Sequence, residues 1–291
     1  MPIECFKYQS GGSALRSLSE GTTYFASPSE LNDSLELQFD LAAPVDHITV
    51  VNRMLSELAG EKGEPRALSA DPQLVEEVTR KIESENARFK EACGRVGIYS
   101  AAPRGDNQPM WAYYCNNSRG VCFHMVWTDE ILNKYQLVPT PVEYSSTTRI
   151  HNRADDLRRL TLELARENPA ASIDELMTMT LSSTFLRRWG VLATARAASV
   201  KHADWRHEHE VRILSPRVGP LPLMKDVLRS VIYTRTDFPE WGSIMMLLYR
   251  LYPEAKHLTL KFDHREPFAS FMPMTFKKVP IRDDEDHWEN R

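Results

Sequence analysis

The feature that most constrains the fold is the uneven spacing of short strand-like runs along the chain. These runs are rich in β-branched and aromatic residues, and they lie at 3–8, 22–27, 95–101, 120–127, 141–145, 210–214, 230–234 and 257–262. Stretches with helix-forming patterns fill some of the gaps, at 71–92, 154–167, 172–192 and 240–254. Because strands and helices do not alternate regularly, we predict an α+β fold with a mostly antiparallel or split sheet.

The helix-forming stretches group into two regions of the predicted domain. We expect a single domain over residues 1–275, with helical insertions near 46–93 and 150–195 packed on the sheet. The remaining residues, 276–291, form an acidic charge run that predicts a solvated tail.

Composition excludes several functional classes. A formal charge of -4 over 291 residues gives no global basic surface, which argues against non-specific nucleic-acid binding. The glycine patterns GxxxxGK[ST], GxGxxG and GxSxG are absent, which disfavours P-loop, Rossmann and α/β-hydrolase enzymes.

The cellular location is also indicated by composition. The 4 cysteines form no CxxC pair, so we expect reduced thiols in a cytosolic protein. The N-terminus has no apolar signal-peptide core, and the longest apolar run, 244–249, is too short to span a bilayer. We therefore expect a cytoplasmic protein with no membrane partner.

A row of charge stands out at residues 205–214, which alternate like a strand. One predicted face carries Trp205, His207, His209, Val211 and Ile213, and the other carries Arg206, Glu208, Glu210, Arg212 and Leu214. Residues two apart in a strand point the same way, about 6.5–7 Å apart. The pattern therefore predicts that Glu208 and Glu210 stand side by side between two arginines.

Motifs spread along the chain resemble those of a bacterial family, the domain of unknown function 2971 family. They are "KYQS", "TYFASPSELNDSLE", "MWAYYCNNSRGVCF", "VEY" and "KHADWRHEHEVRIL", and they occur in the family's order over about residues 5–235. The family name records no activity, so this resemblance implies no function.

A looser resemblance is to ADP-ribosyltransferases, and it implies a fold and a chemistry. The first strand would be Lys7–Ser10, a helix and a glycine turn would lead to a second strand with Tyr24, and a late strand would present Glu210 or Glu208. Lys7 or Tyr8 stands where those enzymes carry His or Arg, and no Ser-Thr-Ser triplet follows.

This second resemblance implies an ADP-ribosyltransferase-like sheet and an enzyme that uses NAD as its substrate. The implied activity is ADP-ribosyl transfer or NAD glycohydrolysis, with a nucleic acid or a protein as acceptor and a toxin or phage-defence role. The implied catalytic residues are Glu210 and Glu208. The implied NAD-binding residues are Lys7, Tyr8, Ser10, Tyr24, Asn32, Asp33, Trp111, Arg119, Lys201 and Arg212.

The chemistry would explain the row of charge. Breaking the bond between nicotinamide and ribose develops positive charge on the sugar, and a carboxylate facing it stabilises the transition state selectively. A second carboxylate would orient the acceptor or act as its base, and arginines would keep both ionised. We accordingly predict that Tyr8, Tyr24 and Glu210 line one pocket, and that Glu210→Gln costs little stability.

Other interpretations remain open at this point. The charge row could be a solvated ladder of ion pairs, Trp111 and Tyr114 could be core residues, and Asn32–Asp33 could simply build a turn. In that case the protein would be a non-catalytic binding module.

A metal-dependent nuclease or hydrolase is the remaining alternative. His207 and His209, with His202 and Asp204 nearby, have a spacing that could hold a metal ion. We expect no metal there, because the predicted face also carries Trp205 and Val211.

Overall fold

The computed structural model describes residues 2–33, 40–41, 47–63, 71–146, 150–151, 153–262 and 270–273. The predicted tail at 276–291 lies outside the described residues. The strands are β1 Ile3–Ser10, β2 Thr23–Phe25, β3 Asp40–Leu41, β4 Gly97–Ala101, β5 Gly120–Trp127, β6 Val138–Pro141, β7 Glu143–Ser145, β8 Ile150–His151, β9 Val200–His202, β10 Val211–Ser215, β11 Gly219–Leu221, β12 Leu228–Tyr233, β13 Lys256–Lys261 and β14 Ser270–Pro273. The α-helices are α1 Gly11–Glu20, α2 His47–Glu61, α3 Pro72–Arg95, α4 Gln108–Tyr114, α5 Asp129–Tyr135, α6 Arg153–Glu167, α7 Ile173–Thr180, α8 Ser183–Ala197, α9 Met224–Val227 and α10 Trp241–Leu251.

The largest sheet has the strand order β1-β5-β12-β13-β14. Its pairs are antiparallel except β12 with β13, which are parallel and are connected through α10. A parallel pair needs such a crossover, because a tight turn can only join antiparallel strands. The predicted α+β class and mostly antiparallel pairing are confirmed.

A second sheet, with the order β4-β10-β6, adjoins β1 through backbone bridges. Phe6 and Ala102 exchange hydrogen bonds of 2.7 and 2.9 Å, and Ala26 pairs with Ile98 in the same way. The sheet structure is thus split, and its two parts meet where β1, β2 and β4 come together. The candidate site lies at this junction.

The two predicted helical insertions share one core in the structure. Helices α2, α3, α6, α7 and α8 enclose a cluster of buried apolar side chains that includes Met54, Leu58, Leu160, Phe185 and Trp189. The sheets enclose a different cluster, in which Phe123, Trp127 and Val231 are fully buried. Within the described residues, no helix is both long enough and apolar enough to cross a membrane.

Capping residues explain most helix boundaries. Asp71 accepts a hydrogen bond from the Gln73 N–H and precedes Pro72, a preferred first helical residue. Ser172 and Glu175 form the predicted capping box of α7. The single helix predicted at 172–192 is wrong, because Ser182 caps a new helix by accepting from the Phe185 N–H.

The strand predicted at 205–214 is wrong over its first half. Residues Ala203–Glu208 form a 3₁₀-helix, which His202 caps by accepting from the Asp204 N–H. His209 follows with φ 48°, in the left-handed region, and the strand begins only at Val211. Because neither a 3₁₀-helix nor a left-handed residue keeps the period of two, the two predicted faces do not exist. Arg206, one of the expected flanking arginines, is exposed.

Candidate functional site

A cavity of about 240 Å³ lies at the junction of the two sheets. Its wall is formed by β1, β4, α4, the turn after β2, and the segment between β9 and β10. The lining residues are Phe6, Lys7, Tyr8, Ala26, Glu30, Leu31, Asn32, Ser100, Ala101, Met110, Tyr114, Lys201, Glu208 and Glu210. Elements far apart in sequence thus bring acidic and basic side chains into one small space.

Lys201 joins the two carboxylates of the predicted row. Its Nζ donates to Oε2 of Glu208 at 2.5 Å and to Oε2 of Glu210 at 3.0 Å, so these oxygens are at most about 5.5 Å apart. All three residues are buried, with exposed fractions of 3%, 3% and 6% for Lys201, Glu208 and Glu210. The pair of carboxylates predicted from sequence is therefore present, but it is buried and is held by a lysine.

Arg212 binds the carboxylate group of Glu210. Its Nε and Nη2 donate to the two oxygens of Glu210, each at 2.9 Å, and its Nη1 donates to the Ala198 carbonyl at 2.6 Å. Such a bidentate contact fixes the plane of the carboxylate. Burial alone would raise the pKa of Glu210, but Arg212 and then Lys201 outweigh it and lower that pKa to about 2. Glu210 is therefore ionised at neutral pH.

Lys201 is correspondingly a fixed cation. Burial lowers its pKa, but the attraction of Glu210 and Glu208 is larger and raises the pKa above the ordinary lysine value. A buried charge cluster costs desolvation energy that apolar packing would avoid. Its presence in a cavity wall is therefore an argument for function.

Two further side chains donate to Glu208, at the carboxylate oxygen that Lys201 does not bind. The Tyr114 hydroxyl donates a short hydrogen bond to Oε1, and Asn32 Nδ2 donates to the same oxygen at 3.3 Å. Burial, and then the hydrogen bond to Glu208, raise the pKa of Tyr114, which keeps its phenol protonated. Asn32 is exposed and Tyr114 is half-buried, so these two side chains close the cavity over Glu208.

Lys7 is the remaining cation of the wall. Its Nζ donates to the Ser100 carbonyl at 2.6 Å and lies 5.0 Å from the centre of the Tyr99 ring. Within the described residues it has no carboxylate at salt-bridge distance. Burial lowers the pKa of Lys7 below the ordinary value, against the opposing attraction of Glu210.

Several predicted binding residues lie elsewhere. Ser10 caps α1 by accepting from the Ser13 N–H, Trp111 is fully buried and donates to the Gly105 carbonyl at 2.9 Å, and Arg119 is a surface residue 4.0 Å from Asp237. Asp33 is buried beside the cavity wall rather than in it. These residues belong to the core, the caps and the surface.

Tyr24 and Tyr8 differ in their relation to the cavity. Tyr8 lines it, although its hydroxyl is engaged with the 104–107 loop, donating to the Arg104 carbonyl at 2.8 Å. Tyr24 lies outside the wall and is 47% exposed, and its hydroxyl donates to Glu30 at 2.8 Å. The structure thus brings Tyr8 and Glu210 together and connects Tyr24 only through Glu30.

The histidines of the metal hypothesis do not share a face. His209 is exposed at the left-handed position, and His207 is in ring contact with Tyr113 and Trp205. Across the part of the chain that the structure describes, no group of three or more His, Cys, Asp or Glu side chains could hold a metal ion. The reason given from sequence, a shared strand face, is wrong because that strand is absent.

Sequence reasoning missed Tyr144 as a member of the site. Its hydroxyl accepts from the Glu210 backbone N–H at 2.7 Å and so holds the start of β10. Tyr144 lies in the "VEY" motif, but the sequence did not show which residue it would contact, so no role could be assigned to it. Ser100 and Glu30 were missed as lining residues, since no local pattern marks them.

Residues 110–213 match the model of a family described as a protein of unknown function, DUF2971. The matched segment carries Tyr114, Lys201, Glu208, Glu210 and Arg212, so the charge cluster is part of the DUF2971 segment, whereas Lys7 and Asn32 precede it. The resemblance inferred from the motifs is confirmed over this range. No curated protein and no solved structure matches this chain.

Proposed function

We propose that the cavity is the active site of an enzyme that cleaves the N-glycosidic bond of NAD or a related nucleotide. ADP-ribose would pass to water or to a nucleic-acid or protein acceptor. The observation that carries the proposal is the pair of buried carboxylates, Glu208 and Glu210, held about 5.5 Å apart or closer in the wall of a small cavity.

The order of elements supports an ADP-ribosyltransferase-like arrangement. β1 is followed by α1, by Gly21 in the left-handed conformation with φ 67°, and by β2, and a late segment carries the glutamates. β1 and this late segment line the same cavity, as that arrangement requires.

Because their contacts differ, Glu208 and Glu210 would have different roles in the reaction. Both oxygens of Glu210 are bound by Arg212 and one of them also accepts from Lys201, so the role of Glu210 is to position Lys201 in the wall. Glu208 is bound on its outer side by Asn32 and Tyr114, which a substrate hydroxyl can displace. Glu208 is therefore the group that would bind the ribose and face the positive charge that develops there.

Cavity size and Lys7 favour a substrate that is only partly enclosed. Ligand pockets are commonly roughly 300–1,000 Å³, so a cavity of about 240 Å³ would take the nicotinamide riboside end. Lys7 has no carboxylate partner among the described residues, which leaves its ammonium group for a phosphate of the same substrate.

The test is nicotinamide release from NAD, measured with wild type and with Glu208→Gln. We expect release by wild type, and a loss of about 10²–10³-fold in Glu208→Gln, the effect of removing one well-placed electrostatic group. Glu143→Gln is the matched control, because Glu143 is exposed on β7 outside the cavity wall.

Two results would count against the proposal. One is wild-type release no greater than that of heat-denatured protein, with water, nucleic acid and cell protein each tried as acceptor. The other is equal release by wild type and Glu208→Gln at the same melting temperature.

A further inference from the structure

A second and larger cavity, of about 780 Å³, lies between the helices α3 and α8 and the sheet β4-β10-β6. Helices α3 and α8 form one wall, and α5, β6 and the end of β10 form the other. It shares no lining residue with the cavity that holds Glu208. Its volume falls within the range of about 300–1,000 Å³ that is common for small-molecule sites.

The floor of this cavity is apolar. It is lined by five buried apolar side chains, each with an exposed fraction of 4–7%: Val96, Leu132, Leu137, Leu186 and Leu214. Val138 and Val191 continue the apolar surface toward the opening. Such a concave apolar floor gains free energy when an apolar ligand displaces water from it.

Gly190 contributes empty space to the cavity wall. It lies in the interior of α8, where glycine costs about 0.5–1 kcal/mol relative to alanine. A Cβ atom built at Gly190 would meet nothing within 4 Å, so no neighbouring side chain or backbone requires glycine there. The glycine leaves room in the cavity rather than relieving a contact in the fold.

The rim carries arginines, which differ in whether a described carboxylate pairs with them. Arg88 pairs with Glu85 and Arg95 pairs with Glu91, each at 2.6 Å. Arg187 is exposed on α8 beside the cavity, and within the described residues it has no carboxylate at salt-bridge distance. An anionic group at the opening would therefore meet a guanidinium that none of the described carboxylates neutralises.

We propose that this cavity binds an amphipathic monoanion, a long-chain carboxylate, with its chain on the apolar floor and its head group at Arg187. The apolar floor, the empty space at Gly190 and the exposed Arg187 at the opening together match that chemistry. The proposal is independent of the nucleotide site.

The test is titration calorimetry with dodecanoate, decanoate and dodecanol below their aggregation concentrations. We expect dodecanoate to bind with one-to-one stoichiometry and decanoate to bind more weakly by about fourfold for each methylene removed. Arg187→Gln should weaken dodecanoate binding by about tenfold and leave dodecanol binding unchanged. Arg188→Gln is the matched control, because Arg188 lies on the same helix but outside this cavity.

The second part of the test fills the cavity with a larger side chain. Gly190→Trp should reduce dodecanoate binding at least tenfold, and Ala92→Trp on the neighbouring helix α3 should do the same if Gly190→Trp does not fold. Three outcomes would overturn the proposal. The first is no binding by wild type, and the second is equal binding by the filled variants. The third is wild-type dimerisation that Gly190→Trp abolishes, which would assign the cavity to a second copy of the chain.

Discussion

Glu210 shows how burial changes the meaning of a charged residue. The sequence pattern suggested an exposed or cleft-lining carboxylate whose loss would be harmless to the fold. In the structure Glu210 is buried between Arg212 and Lys201. Replacing it with glutamine removes the carboxylate that Arg212 and Lys201 share, and breaking such a buried ion pair typically costs about 3–5 kcal/mol.

The first residue-scale prediction follows from this correction. At pH 7, Glu210→Gln should lower the free energy of unfolding by about 3–5 kcal/mol, measured by urea denaturation. Glu143→Gln, on an exposed side chain, should stay within about 0.5 kcal/mol of wild type. A Glu210→Gln protein as stable as the control would mean that the charge cluster does not hold the junction together.

The pH dependence gives a second residue-scale prediction. The pKa of Glu210 falls from 4.5 to about 2 on folding, so its contribution to stability is complete above pH 4.5 and is lost as the pH falls toward 2. That difference corresponds to roughly 3 kcal/mol at neutral pH. The stability gap between wild type and Glu210→Gln, measured by urea denaturation at several pH values, should therefore narrow as the pH falls from 4.5. A constant gap over that range would contradict the assigned cause.

At the scale of elements, the turn at 203–209 places the two carboxylates. The 3₁₀-helix ends at Glu208, and His209 then takes φ 48°, which lets Glu208 and Glu210 both reach Lys201. A left-handed conformation costs residues other than glycine about 1–2 kcal/mol, and β-branched residues tolerate it least. The geometry of the site therefore depends on the backbone of one exposed residue.

The prediction for this element compares two substitutions at one position. His209→Gly should leave stability and nicotinamide release near the wild-type level, because glycine adopts positive φ without strain. His209→Val should lower the free energy of unfolding by about 1–2 kcal/mol relative to His209→Gly and should reduce release. Unfolding curves and the nicotinamide assay measure both effects. Equal values for the two variants would show that the left-handed turn is not required.

Helices and strands could be predicted where their own residues show a clear pattern. β1, β5 and β12 have continuous apolar and β-branched runs, and α3 has a side-chain cap, so their types and approximate limits follow from sequence. The capping box of α7 gave only the start of that helix. β6, with the sequence VPTP, was not recognised because proline argues against a strand. It is an edge strand, the position in a sheet where proline is tolerated.

The site was less predictable than the elements, for a physical reason. Glu208 meets Tyr114 across 94 residues of sequence and Asn32 across 176 residues. No periodicity or spacing reports contacts at that separation, because they arise from how the two sheets join. Sequence alone could place the two glutamates near each other, but it could not show that they are buried.

At the scale of the whole molecule, the cysteines are divided among three of the apolar clusters that the described residues form. Cys5, Cys115 and Cys122 are buried around the larger sheet, and Cys93 is buried between α3 and α8 beside Phe89. Burial raises the pKa of Cys5 to about 11 and that of Cys115 to about 12. Because the thiolate is the reactive form, none of these thiols should react while its core is closed.

This arrangement predicts the order in which the cysteines become reactive. Cys93 lies in a small cluster with Phe89, Ala193 and Ala197, whereas Cys5 and Cys122 lie on β1 and β5, which pair along their whole length. Small clusters with few buried contacts open at lower free energy than paired strands that cover a large core. With a thiol reagent and mass spectrometry at low urea, Cys93 should therefore be modified first. The Cys93→Ala variant should lose that first phase and keep the others. Modification of all four cysteines at one rate would mean that the helices α3 and α8 and the sheets unfold together. Early modification of Cys5 would place the weakest part of the molecule at the junction of the two sheets, where the candidate site lies.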